Sequence, residues 1–137
     1  MPDFLIKYKM DVTTERKKFA FEYIINASPE FLYTYISTAS GLAGWFADDV
    51  KINGDVYTFM WEGSEEKARL VNKRMNKFVK FQWLGRENEY MTIEVNMDDL
   101  TGDVALVITD FENENELHEA RMIYDVSLDR LKQMIGG

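Results

Sequence analysis

The sequence contains no cysteine and only one histidine, His118. Without thiols the chain can form no disulfide, thiolate zinc site or iron–sulfur cluster, and it has no cysteine nucleophile. A single imidazole cannot supply a histidine-rich metal site or a mechanism that needs two histidines. These absences exclude thiolate and histidine-rich metal centres, and our prediction is that the protein uses no metal and no cofactor.

Long apolar runs and glycine-rich phosphate loops are missing as well. No segment approaches the roughly 18 apolar residues of a membrane span, and residues 1–4 do not begin a signal peptide. We therefore expect a cytoplasmic protein without a membrane span. There are only two prolines and no repeat or linker-like tract. The whole chain, residues 1–137, is predicted to be one domain, with residues 1–15 as either an N-terminal arm or an extra strand.

Apolar and aromatic residues are abundant. The 137 residues are 46% hydrophobic and include nine Phe, seven Tyr and three Trp. This composition excludes general disorder, and the chain is long enough to bury a core without disulfide bonds or a structural metal. The net charge of −8 disfavours nucleic acid as a partner.

The first third of the chain predicts one strand and two short helices. Residues 17–26 are β-branched and aromatic, which is typical of a strand. Ser28-Pro29-Glu30 predicts a helix start, since Ser caps, Pro tolerates the first turn and Glu favours the positive end of the helix dipole. A second short helix is predicted to carry Leu42, Trp45 and Phe46.

From residue 50 onward, short strands alternate with turn residues, and a long helix follows. The Asn53-Gly54 turn predicts a hairpin. Asn113 and Glu116 have capping-box spacing at the start of a helix of about 20 residues. We predict an α+β fold in which a seven-stranded antiparallel sheet is covered on one face by the C-terminal helix. The predicted strands after the first are residues 50–52, 56–61, 66–74, 78–84, 90–97 and 104–111.

These motifs, in this order, resemble the START-like superfamily, also called SRPBCC or Bet v 1-like, which has the helix-grip fold. The chain looks most like the bacterial START-like domains related to the C-terminal domain of Hsp90 ATPase activators. The resemblance covers about residues 16–135. It is carried by Ala27-Ser28-Pro29-Glu30, by residues 40–49 around Trp45-Phe46, by residues 61–68, 101–106 and 109–111, and by Leu128-Asp129-Arg130-Leu131.

The resemblance implies a cavity between the sheet and the long helix. Members of the superfamily bind lipids, sterols, polyketides or hormones there, some cyclise polyketides, and some act as chaperone partners. The side chains predicted to line such a cavity are Trp45, Phe46, Phe59, Trp61, Leu70, Phe81, Trp83, Met91, Ile93, Tyr124 and Leu128. The alternative is that the same side chains fill an ordinary core.

Carboxylates are the remaining candidates for chemistry. Glu62 and Glu94 are the most plausible general acids or bases. However, Glu62 lies near a turn, and Glu94 is expected on the sheet face opposite Ile93. Asp110 is expected to cap or to form hydrogen bonds near the last helix. No catalytic residue is therefore assigned.

The sequence thus predicts a non-enzymatic domain that binds a small hydrophobic or amphipathic ligand. One alternative is a protein-interaction or chaperone-associated module without a ligand. The other is a cyclase-like or hydrolase-like enzyme, which would need a carboxylate or tyrosine with a shifted pKa in the pocket. A homodimer is also considered, because strand 56–61 is apolar on both faces. Its contact would use Val56, Tyr57 and Met60.

Overall fold

The computed structural model describes residues 15–136, so most of the segment predicted as an arm or extra strand lies outside the described residues. The chain begins with a strand and two short helices and ends with a long helix. The strands are β1 (Arg16–Ile24), β2 (Asp49–Asn53), β3 (Val56–Trp61), β4 (Ser64–Arg74), β5 (Phe78–Trp83), β6 (Tyr90–Met97) and β7 (Val104–Asn113). The helices are α1 (Pro29–Ser37), α2 (Ala39–Leu42) and α3 (Leu117–Ile135).

The seven strands form one antiparallel sheet in the order β1-β7-β6-β5-β4-β3-β2. Strands β2 to β7 are therefore a meander, and β1 closes the far edge by pairing with β7. The predicted α+β helix-grip architecture is confirmed. No helix within residues 15–136 has the length and apolar character needed to cross a membrane.

The core lies between the concave sheet face and the helices. Side chains alternate between the two faces of β5 and β6, as the period of two requires. The inward-facing residues are Val79, Phe81 and Trp83 on β5 and Met91, Ile93 and Val95 on β6. Helix α3 contributes two anchors, Leu128 and Leu131, which are at most 1% exposed. These anchors hold the helix against the sheet, while other parts of the helix remain in contact with solvent.

Three local predictions are wrong, and the first concerns the second helix. It ends at Leu42, so Trp45 and Phe46 lie in the turn that follows. Gly44 adopts φ +98° and donates its N–H to the Ala47 carbonyl, which closes the turn. The extended backbone of Ala43 (φ −70°, ψ 135°) ends the helix before the two aromatic residues, and the left-handed Gly44 turns the chain after it.

The second correction concerns the start of the long helix. Neither Asn113 nor Glu116 forms a side-chain cap. Strand β7 extends to Asn113, and a 3₁₀ turn over Glu114–Glu116 leads directly into α3. Asn113 still pairs with Arg16 in the sheet. Its backbone therefore belongs to the strand, and it cannot cap the helix as predicted.

The third correction concerns the outer face of β3. Tyr57 points inward and is only 6% exposed, with its ring centroid 4.9 Å from that of Phe81. The predicted dimer contact therefore cannot use Tyr57. Val56 and Met60 do lie on the opposite face of the strand, where both are half-buried. Tyr57 belongs to the core because it alternates in phase with Phe59.

Candidate functional site

A cavity of about 180 Å³ lies between α3 and the concave face of the sheet. Five strands of the sheet (β1, β3, β4, β5 and β7), the turn after α2 and one side of α3 contribute to it. It is lined by Phe19, Phe46, Trp61, Glu66, Trp83, Asp110, Phe111, Glu112, Ala120, Ile123, Tyr124 and Ser127.

Asp110 is the buried carboxylate at this cavity. Strand β7 turns Leu106 and Ile108 inward with no exposure, and Asp110 continues the same face at 9% exposure. Its Oδ1 accepts the indole N–H of Trp83 at 2.9 Å and the backbone N–H of Phe111 at 2.8 Å. Its Oδ2 accepts the hydroxyl of Tyr124 at 3.2 Å. The carboxylate thus links the sheet to the long helix.

Burial raises the pKa of Asp110 from 3.8 to about 6, although the hydrogen bonds from Trp83, Phe111 and Tyr124 oppose the shift. Removal from water is therefore the dominant effect, since it penalises the charged form. The pKa of Tyr124 is raised well above its usual 10, first by burial and then by the neighbouring Asp110. At neutral pH the pair consists of an ionised carboxylate and a neutral phenol that donates to it.

The two other carboxylates of the lining have cationic partners. Arg86 Nη1 donates to Glu66 at 2.9 Å, and Arg16 Nη1 donates to Glu112 at 3.3 Å. The guanidinium of Arg86 also stacks on the Trp83 ring, 4.9 Å from its centroid. Ion pairs therefore surround one end of the cavity. Within residues 15–136, no group of three or more His, Asp or Glu side chains could hold a metal ion.

A wider groove of about 480 Å³ lies beside the cavity, and its lining includes the charged residues Asp48, Glu62 and Arg130. Both are lined by Phe46, Trp61, Ile123 and Ser127. The helix side of the groove is an apolar stripe, which we define as Met122, Ile123 and Val126, each more than half exposed. The arrangement is a small, largely aromatic pocket with one buried carboxylate beside a groove that is apolar along α3 and carries charged residues elsewhere in its lining.

The structure separates the predicted ligand-binding residues into two groups. Phe46, Trp61, Trp83 and Tyr124 line the cavity. The others pack in or against the core and are not among the cavity-lining residues: Trp45, Phe59, Leu70, Phe81, Met91, Ile93 and Leu128. Trp45 and Phe59 are at most 1% exposed, so they support the cavity walls from behind.

Asp110 was not identified as the site's carboxylate from the sequence. A signal for it was present, because Leu106, Ile108 and Asp110 share one face of a strand whose inward side is apolar. Glu62, by contrast, is exposed, and Glu94 lies on the face opposite Ile93 as expected.

The family is shown by a sequence profile. The sequence profile of the START-like superfamily domain matches residues 13–137. No curated protein matches the chain significantly. A solved Bacteroides fragilis protein, BfR322, is 32% identical, with 89% of this chain and 93% of that chain covered and a TM-score of 0.58.

Two further solved structures share the fold at lower identity. The Aha1 dimer from Colwellia psychrerythraea is 20% identical, with a TM-score of 0.71 and coverage of 85% of this chain and 93% of that chain. The Enterococcus faecalis protein EF2215, described as a conserved protein of unknown function, is 19% identical, with a TM-score of 0.66 and coverage of 97% and 82%. Given the profile match over nearly the whole length, the chain belongs to the START-like superfamily.

Proposed function

We propose that this domain binds a small amphipathic molecule in the cavity between α3 and the sheet. The observation that carries the proposal is a pocket with aromatic walls and one deeply placed carboxylate, Asp110, beside a groove whose helix side is apolar. Ligand sites typically combine an apolar lining with a few fixed polar groups. Trp83 and Tyr124 fix the carboxylate from two different elements, so the polar contact is preorganised.

The size of the cavity limits what it can hold. A dry cavity of about 150 Å³ suffices for benzene, so 180 Å³ accommodates one ring-sized group. The rest of a larger ligand would lie along the groove. Native mass spectrometry of freshly purified protein, followed by solvent extraction, should reveal a bound molecule of this kind.

Asp110 and Tyr124 also meet the condition set for the enzymatic alternative, since both lie in the pocket with raised pKa values. An acid–base pair alone specifies no reaction. The proposal is therefore limited to binding.

Ala120→Leu should lower the affinity for the neutral fluorescent probe N-phenyl-1-naphthylamine at least fivefold. Ala120 is 8% exposed on the cavity side of α3, so three added carbons would occupy part of the cavity. Leucine is also a good helix former, so the helix should tolerate it. Fluorescence titration measures the effect.

The matched control is Ala20→Leu, because Ala20 is exposed and lies outside the cavity lining. It should leave the probe affinity unchanged. Equal loss in both variants, or no loss in Ala120→Leu, would contradict binding in the cavity.

A homodimer is a second candidate, favoured by one observation. The apolar stripe on α3 faces solvent beside Trp61, and a solved relative is described as an Aha1 dimer. Val126→Lys should therefore shift sedimentation velocity from dimer to monomer, since a buried unpaired charge opposes association. Met75→Lys is the control, because Met75 is 76% exposed in the turn between β4 and β5. If the native chain sediments as a monomer at all concentrations, the homodimer is excluded.

A further inference from the structure

The charges that line the cavity are all of one sign. Glu66, Asp110 and Glu112 contribute carboxylates, and none of the described residues in the lining carries a positive charge. The other lining residues are mainly aromatic or aliphatic. A molecule in the cavity therefore meets hydrogen-bond acceptors and ring faces, and it meets few donors.

Asp110 is the carboxylate whose charge is least balanced. Glu66 and Glu112 pair with Arg86 and Arg16, whereas Asp110 forms no ion pair with any residue between 15 and 136. Its partners are neutral donors. Arg86 and Arg16 act on Asp110 only through space, without an ion-pair contact. A buried ionised carboxylate without a paired counterion is costly. A cation inside the cavity would offset that cost.

The geometry leaves room for this contact. A carboxylate offers about four acceptor positions, and Asp110 uses three of them. Its Oδ2 has one partner, Tyr124, at a long 3.2 Å, so Oδ2 retains an acceptor position. The nearby rings of Trp61 and Phe46 pack against each other with centroids 5.8 Å apart. The face of an aromatic ring attracts cations, and it also packs against apolar groups.

We propose that the molecule bound in this cavity is an amphipathic amine whose protonated nitrogen contacts Asp110. Its apolar part lies among the aromatic walls and extends along the apolar stripe of α3. This inference rests on the proposed ligand-binding function and specifies the charge of the ligand. The net charge of −8 favours approach of a cation and opposes an anion.

Three probes of nearly equal shape test the charge preference: 4-butylbenzylamine, 4-butylbenzyl alcohol and 4-butylbenzoate. Titrations at pH 7.5 are followed by protein-observed NMR and by Trp fluorescence. The amine should bind at least tenfold more tightly than the alcohol, and the benzoate more weakly than both. Alcohol or benzoate binding as tightly as the amine would overturn the inference but leave the binding function intact. Failure of all three to bind would overturn both.

Two variants assign the preference to one carboxylate. Asp110→Asn keeps the shape of the side chain and removes its charge, so the amine should lose its advantage over the alcohol. Glu94→Gln removes the same charge from the opposite face of the sheet and should preserve the advantage. Thermal unfolding confirms that each variant is folded. A full amine preference in Asp110→Asn would place the cation elsewhere and refute the assignment.

Discussion

Asp110→Asn is expected to increase the free energy of unfolding at pH 7. The carboxylate is ionised at that pH although it is 9% exposed and forms no ion pair with any residue between 15 and 136. Asparagine keeps a carbonyl oxygen for the Trp83 and Phe111 donors and avoids the buried charge. The pKa of Asp110 is 3.8 in the unfolded state and about 6 in the folded state. This difference means that the ionised carboxylate lowers the free energy of unfolding by at most about 3 kcal/mol. A gain of about 1–3 kcal/mol is expected, measured by urea unfolding.

The sign of the pH dependence follows from the raised pKa of Asp110. Between pH 4 and pH 6 the folded state keeps a proton that the unfolded state has released, so stability falls as pH rises. Above pH 6 both states are ionised and the full penalty applies. The advantage of Asp110→Asn should therefore be largest at pH 7 and should shrink as the pH is lowered to 4.

Glu94→Gln serves as the control, since it removes a carboxylate from the outer face. It should unfold with the pH dependence of the unaltered protein. A destabilised Asp110→Asn variant would mean that the ionised carboxylate is a net structural asset. The expected stabilisation would instead show that Asp110 lowers the stability of the native protein. Residues that lower stability in this way are common at binding sites, where they serve function.

The fold was predictable because its signals are local and numerous. Strands β3 and β6 have the predicted bounds, since turns such as Asn53-Gly54 separate them from their neighbours. The β5 alternation of Val79, Phe81 and Trp83 fixed the inward face. Where prediction failed, competing backbone geometry decided. The extended backbone at Ala43 ended the helix early, and pairing with Arg16 kept Asn113 in the sheet.

The site was only half predictable. A strand pattern identifies which side chains face inward, but it does not tell which of them pack tightly and which border a cavity. That difference depends on where α3 crosses the sheet. The helix is anchored at Leu128 and Leu131 and leaves space near Ala120 and Tyr124. Asp110 borders that space. Its role could not be predicted from the sequence, because its partners Trp83 and Tyr124 are distant from it along the chain.

Phe59→Ala should lower the free energy of unfolding by about 3–5 kcal/mol, the range for deleting a buried aromatic side chain. Phe59 has no exposure. Its ring lies 4.9 Å from that of Phe46 and 6.0 Å from that of Trp83, measured between centroids. Both of these neighbours line the cavity. Loss of Phe59 would leave a void behind the cavity wall.

The control is Phe31→Ala, since Phe31 is 46% exposed on α1 and should cost less than about 1 kcal/mol. The comparison separates two roles for Phe59. A residue that contacts the ligand would lose probe affinity with little change in stability. A residue that supports the wall would lose stability first, and any folded fraction would still bind the probe. A large loss of affinity with unchanged urea unfolding would show that Phe59 contacts the ligand directly.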